Sequence, residues 1–240
     1  MIRINKFLSL CGVTSRRGAE QLISEKRVTV NDVTIDRLGT IVDEENDVVK
    51  VDGTVAGLTR KKFYVLLNKP KMVLTTLHDP FKRKTVQYYV KTLGARVYPV
   101  GRLDYDTEGA LILTNDGELA YRLAHPKYEI KKIYQALVVG AFTADHAAEV
   151  SKGIKLDDGH IGHAEVEILD SIVRRSVVRL TLTEGHKREI KQLMKSVGHH
   201  VIDLRRVEFA GLRVDDLKPG RWRHLNHLEI RKLKDMVGIE

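Results

Sequence analysis

A single cysteine, Cys11, stands in a chain of 240 residues. No disulfide can form within one chain, so the cytoplasm is the expected compartment. Cys11 itself reads as a small buried apolar residue. No apolar run approaches the roughly 20 residues needed to cross a bilayer, which argues against a membrane partner. The opening MIRINKFLSL is too short and too polar for a secretory signal. There is no internal repeat and no low-complexity segment. A phosphate-cradling glycine loop is missing. His160 and His163 lie close in sequence, but no cysteine or carboxylate at ligand spacing completes a metal site with them. The expectation is chemistry without a nucleotide, a metal or any other cofactor.

What is present is a charged, foldable chain. Hydrophobic residues make up 42% and charged residues 30%, enough for one large or two smaller domains with a real core. The formal net charge is +9, which favours a polyanionic partner, nucleic acid before membrane. The charge is unevenly spread. Arg3, Lys6, Arg16, Arg17, Lys26 and Arg27 face only Glu20 and Glu25 in the first thirty positions, whereas residues 31–57 are acidic. A basic face of this kind suits a phosphate backbone.

Periodicity divides the chain. Ile4, Phe7, Leu8 and Cys11 fall at helical spacing up to Gly12; Ser15 caps a second helix lined by Ala19, Leu22 and Ile23. Val28–Val30 and Val33–Ile35 flank Asn31-Asp32 as a tight hairpin, and Asp47–Val51 reads as a further strand. Residues 1–57 thus form one module, the polar and basic stretch 58–62 a linker, and 63–240 a second domain. In the latter, Phe63–Asn68 reads as a buried strand, Thr85–Leu93 as a short helix, and Asn115 with Glu118 as the capped start of another helix. Ala144–Ser151 reads as helical, Ala164–Leu169 and Ser176–Thr183 as paired strands, and Ile190, Leu193, Met194 and Val197 as the buried stripe of a helix. Trp222 reads as a packing anchor. The fold class is α+β: a small N-terminal α/β module, then a domain with a largely antiparallel mixed sheet flanked by helices.

The most informative stretch is GRLDYDTEGALILTNDG, Gly101–Gly117. It reads as strand, loop, buried strand and turn, a design that fixes a loop side chain while leaving it exposed. On residues alone, an aspartate such as Asp104 in a glycine-bearing loop ordinarily satisfies backbone N–H groups. The order GRLD-x-x-T-x-G, an apolar run and TNDG, however, resembles the catalytic motif of the RsuA-like ribosomal RNA pseudouridine synthases. NKP before Val73, KKIY ending at Tyr134, and TLTEG, residues 181–185, followed by His186-Lys187-Arg188 resemble further elements of that family, as does LRRVEFAGLRVDDLKPGRWRHL. VTSRRGAEQLI with KRVTVND resembles the alpha-L RNA-binding domain, so the likeness spans essentially the whole chain. HDPFKRKTV and AHPKYEIKKIY resemble the large-subunit branch more than the small-subunit branch. Two positions depart from the pattern: Ala110 replaces a bulkier apolar residue, and Met72 stands where glycine is usual. If that glycine serves a turn with positive φ, Met72 is strained or the loop differs.

The resemblance implies an isomerase. Uridine becomes pseudouridine when the ribose–N1 bond breaks and a ribose–C5 bond forms, with no atom gained or lost. A carboxylate, Asp104, serves as nucleophile, charge stabiliser or base. The target base must leave its stack, and Tyr134 and Leu182 are the expected pocket walls, with Arg102, His186 and Arg188 beside them. His186 is by position the expected partner of Asp104, with Arg188 the alternative. Arg3, Lys6, Arg16, Arg17, Lys26, Arg27, Lys69 and Lys187 are the expected RNA contacts. The implied partner is ribosomal RNA or a pre-ribosomal particle, met by a monomer. Two other classes stay open on the sequence: an RNA-binding assembly protein in which Asp104 is structural, and a metal-dependent nuclease or phosphotransferase using Asp104, Asp106 and Asp116.

Overall fold

A computed structural model describes residues 1–58 and 61–239. The expected linker at 58–62 falls partly outside those residues. The chain divides into two compact units, Met1–Lys62 and Phe63–Glu240.

In the first unit, helices Ile4–Leu10 and Arg16–Ser24 pack on a four-stranded sheet whose central strands are Val28–Val30 and Val49–Val51. Ser15 caps the second helix by accepting from Gly18 N at 3.0 Å. The hairpin at Asn31-Asp32 has both residues at positive φ, 50° and 65°, which matches the twist of the flanking strands. Ile4, Phe7, Leu8, Ala19, Ile23 and Val28 form the dry centre. Cys11 is half-buried, and burial, helped by Glu44, pushes its thiol up to about 11. It therefore stays protonated and unreactive.

The second unit is built on a nine-stranded sheet. Its main path runs Glu165–Ile172, Arg175–Leu182, Lys132–Val139, Val201–Phe209, Glu108–Thr114, Tyr64–Lys69 and Trp222–His224. Neighbours are antiparallel except for Val201–Phe209 against Glu108–Thr114. Both faces of Tyr64–Lys69 and Glu108–Thr114 are covered. Leu67, Leu111 and Leu113 belong to one buried cluster, and Leu66, Ala110 and Ile112 to another. That is why these strands read as continuous apolar runs rather than alternating ones. Ala110 is fully buried in its cluster.

Some local expectations shift. The helix after TNDG spans Gly117–Ala124, and its cap is Asp116, which accepts from Leu119 N at 3.3 Å. Asn115 instead accepts from Phe63 N at 2.8 Å, so it staples the start of the neighbouring strand rather than the helix. The expected Thr85–Leu93 helix is shorter: Gln87–Val90, then a tighter turn Lys91–Leu93. Met72 does occupy the left-handed region, φ 59°, and its N–H donates to Tyr105 O at 2.7 Å. Holding a non-glycine residue there costs about 1–2 kcal/mol. Trp222 pairs with Leu67 across the sheet and packs against the core, as an anchor does.

Candidate active site

The parallel junction of the sheet fixes the Asp104 loop. Arg205 and Arg206 pair with Glu108 and Gly109. A Cβ on Gly109 would lie 2.1 Å from Arg206 O, and Gly109 has φ 124°. Glycine is therefore required for the two strands to meet. On one side of Asp104, Thr75 Oγ1 donates to Leu103 O at 2.6 Å and accepts from Leu103 N at 3.2 Å. On the other, Lys69 Nζ donates to Thr107 O at 2.8 Å and to Pro70 O at 2.9 Å. Asp104 is the half-exposed residue between two clamped neighbours, Leu103 and Thr107, both buried.

Lys69 is fully buried. It cannot reach a phosphate, which corrects its assignment as an RNA contact. Its strand is buried on both faces, and the carbonyls of Thr107 and Pro70 occupy its donors. Burial lowers its ammonium to about 8, although Asp104 and Asp106 work in the opposite sense.

Asp104 opens into a cleft that is open to solvent. Tyr134 and Leu182 form its apolar wall, and Arg102, His186 and Arg188 lie along it. Tyr134 reaches the cleft because Lys132, Tyr134, Ala136 and Val138 share the inward side of one strand. Behind the tyrosine, Arg206 is buried, with Nη1 donating to Tyr134 Oη at 3.4 Å and Nε to Ala110 O at 2.7 Å. Lys132 is likewise buried and held by Thr183 O at 2.6 Å; burial, reinforced by Arg206, lowers it to about 8.

The cation beside Asp104 is Lys191, not His186. Its Nζ lies 3.8 Å from Asp104 Oδ2 and 2.5 Å from Asp106 Oδ1. Burial would raise the Asp106 carboxyl, but the bond to Lys191 outweighs it and holds the group below its usual range. Arg188, in the left-handed region just before helix Glu189–Ser196, adds positive charge near Asp106. His186 does line the cleft, but its ring is engaged elsewhere. Nδ1 lies 3.1 Å from Asp158 Oδ2, and Nε2 lies 3.4 Å from Glu184 Oε2. Burial lowers this imidazole, yet Asp158, Glu189 and Glu184 together raise it above its ordinary value. Position after the Glu184-Gly185 pair suggested His186. Lys191 was missed because it lies in the helix, where it reads as part of the surface beside the apolar stripe.

The carboxylates of the nuclease reading do not assemble. Asp116 caps a helix and accepts from Tyr64 Oη at 2.9 Å. Among the described residues, the group with metal-ligand geometry is instead His160, Glu184 and His186. His163 is not part of it, and Glu184 is the carboxylate that local spacing did not reveal. In the first unit, Arg3, Lys6, Arg16, Arg17, Lys26 and Arg27 are all exposed. Arg27 is tied to Asp52 at 2.6 Å and to Glu25 at 3.0 Å. Lys187 is also exposed. No helix among the described residues is long and apolar enough to cross a membrane.

The chain is similar to known proteins over its whole length. Residues 63–196 match the family described as RNA pseudouridylate synthase, and residues 2–49 match the S4 domain. An Aquifex aeolicus protein described as an uncharacterized RNA pseudouridine synthase is 43% identical over 100% of this chain and 96% of its own. The Bacillus subtilis ribosomal large subunit pseudouridine synthase B is 39% identical over 99% of this chain and 97% of its own. A crystal structure of a pseudouridylate synthase superposes with a TM-score of 0.70 at 26% identity, covering 97% of this chain and 100% of that one. With a carboxylate held in a cleft between a tyrosine and a lysine, and with likeness over its full length, this chain belongs to the RNA pseudouridylate synthase family, an isomerase with an N-terminal S4 domain.

Proposed function

We propose that the protein converts a uridine of large-subunit ribosomal RNA into pseudouridine, acting as a cytoplasmic monomer without a cofactor in the chemical step. The observation that carries this reading is the placement of Asp104: half-exposed, held between clamped neighbours, and lining one cleft with Tyr134. In this reading its carboxylate acts at the ribose of the flipped-out uridine, as nucleophile, charge stabiliser or base. The ribose–N1 bond breaks, the uracil turns within the pocket, and the bond to C5 forms. Tyr134 and Leu182 flank the base. Lys191 supplies the positive charge beside the reacting carboxylate, and Arg102, Lys187 and Arg188 meet the neighbouring phosphates. Residues 1–57 hold the RNA through their exposed arginines and lysines, joined by 58–62 to the catalytic part, 63–240. The large-subunit enzyme of Bacillus subtilis, 39% identical, favours the large-subunit RNA as substrate.

The test is a map of pseudouridines in ribosomal RNA from cells with and without the gene. A large-subunit position should lose its pseudouridine and regain it with the wild-type gene, but not with Asp104→Asn. An unchanged map would overturn the proposal, and a loss confined to the small subunit would overturn its choice of substrate.

A further inference from the structure

At the rim of the cleft, two segments far apart in sequence bring three donor atoms together. His160 comes from the hairpin between Ile154–Lys155 and Ile161–Gly162; Glu184 and His186 come from the turn that follows strand Arg175–Leu182. His160 Nε2 lies 2.8 Å and His186 Nε2 3.4 Å from the same atom, Glu184 Oε2. One donor atom from each residue lies within 4.8 Å of the others. A tetrahedral ion with bonds of about 2.0–2.1 Å holds its donors about 3.3 Å apart. The observed spacings bracket that value.

A fourth residue orients the donors. Asp158 Oδ2 lies 3.1 Å from His186 Nδ1, and Asp158 Oδ1 accepts from His160 N at 3.1 Å. A carboxylate on Nδ1 fixes that nitrogen as the N–H and turns the Nε2 lone pair outward, the usual support of a metal-bound histidine. The two imidazole rings are stacked, with centroids 3.8 Å apart and planes at 15°. Both Nε2 atoms lie near one carboxylate oxygen; parallel rings cannot both aim an in-plane lone pair at one ion, so one ring must turn about its Cβ–Cγ bond when the ion binds, and the side chains, about one-third exposed, leave room for that turn and a path for the ion.

We propose that His160, Glu184 and His186 bind one divalent transition-metal ion of the zinc class, with Asp158 as the positioning residue. Two imidazole nitrogens and one carboxylate oxygen suit zinc, cobalt or nickel, whereas magnesium and calcium favour all-oxygen sets. Three protein donors leave a fourth position for water or a phosphate oxygen. The ion ties the 155–162 hairpin to the turn that carries Arg188 and adds positive charge to the cleft rim. It takes no part in the isomerisation, and the site stands whether or not Asp104 is the reacting group.

The experiment uses the full chain, stripped with chelator and titrated with Zn²⁺ by calorimetry, and with Co²⁺ by visible absorption. One equivalent should bind, and Co²⁺ should give the intense bands of a tetrahedral site. His160→Ala should abolish those bands, and Asp158→Asn, which keeps all three donors, should weaken Zn²⁺ binding roughly 10–100-fold. The unfolding midpoint of each stripped variant, compared with that of the stripped wild type, shows that it is folded. Failure of the wild type to bind one equivalent would overturn the proposal. So would binding that survives unchanged in both His160→Ala and Glu184→Gln, because the ion would then sit elsewhere.

Discussion

Asp104 shares its cation. Lys191 bonds to Asp106 at 2.5 Å and stands 3.8 Å from Asp104, so one ammonium serves two carboxylates at the mouth of the cleft. Replacing Lys191 by Met should lower turnover about 10²–10³-fold, the usual effect of losing one electrostatic contact to a reacting centre. His186→Ala should cost distinctly less, because that ring is turned to Asp158 and Glu184. Turnover measured for both variants decides the matter; the opposite order would return His186 to the role that its position suggested. A second residue-scale expectation concerns Lys69. Its folded-state value of about 8 lies below the ordinary lysine value of about 10.4. Between the two, the unfolded chain binds a proton that the folded chain has released, so this group adds stability as pH rises through that window and none below it. The stability of wild type relative to Lys69→Met, from denaturant midpoints, should therefore grow from pH 8 to pH 10. A flat or falling difference would show that Lys69 is charged in the folded protein throughout.

At the scale of elements, the decisive contact is the parallel pairing of Arg206 with Gly109. A methyl group on Gly109 meets the Arg206 carbonyl and a backbone at φ 124°. Gly109→Ala should cost at least about 2 kcal/mol and disorder the Asp104 loop, read as a lowered unfolding midpoint together with lost activity. A variant as stable as wild type would mean that the strands do not meet there. This junction also marks how far a sequence can be read. Strand, loop and buried strand around Asp104 were legible because their apolar pattern is local, as were the Ser15 cap and the helical stripe Ile190–Val197. The reason for Gly109 was not, because Arg206 is remote in sequence, 96 residues from Ala110, the neighbour of Gly109 to which it is bonded. Asn115 was misread for a similar reason: its partner, Phe63, lies far away in sequence, just before the strand Tyr64–Lys69. Lys69 looked like a surface lysine because its burial depends on the loop it clamps. Lys191 escaped notice because helical side chains lean toward the N-terminus, which carries an early residue of Glu189–Ser196 back over the turn toward Asp104. Arg206 was discernible in principle, as a charge in the inward phase of the strand that holds Leu204.

For the whole molecule, the proposed function separates positioning of the RNA from chemistry. The exposed Arg16 and Arg17 begin the second helix of the first unit, and in the proposed function they meet phosphate without reading bases. Changing both to Ala should weaken binding to ribosomal RNA fragments and reduce the slope of log affinity against log salt by about 1–2. An unchanged slope would show that neither arginine touches the backbone. The chemistry, by contrast, is assigned to one carboxylate. Asp104→Asn keeps the size of the side chain and most of its hydrogen bonding while removing its charge. The most direct test is single-turnover pseudouridine formation by purified Asp104→Asn on a large-subunit RNA fragment that the wild type modifies, with RNA affinity measured in parallel. The account predicts a loss of at least about 100-fold in rate with affinity essentially retained; turnover within about tenfold of wild type, a barrier change of about 1.4 kcal/mol or less, would contradict it.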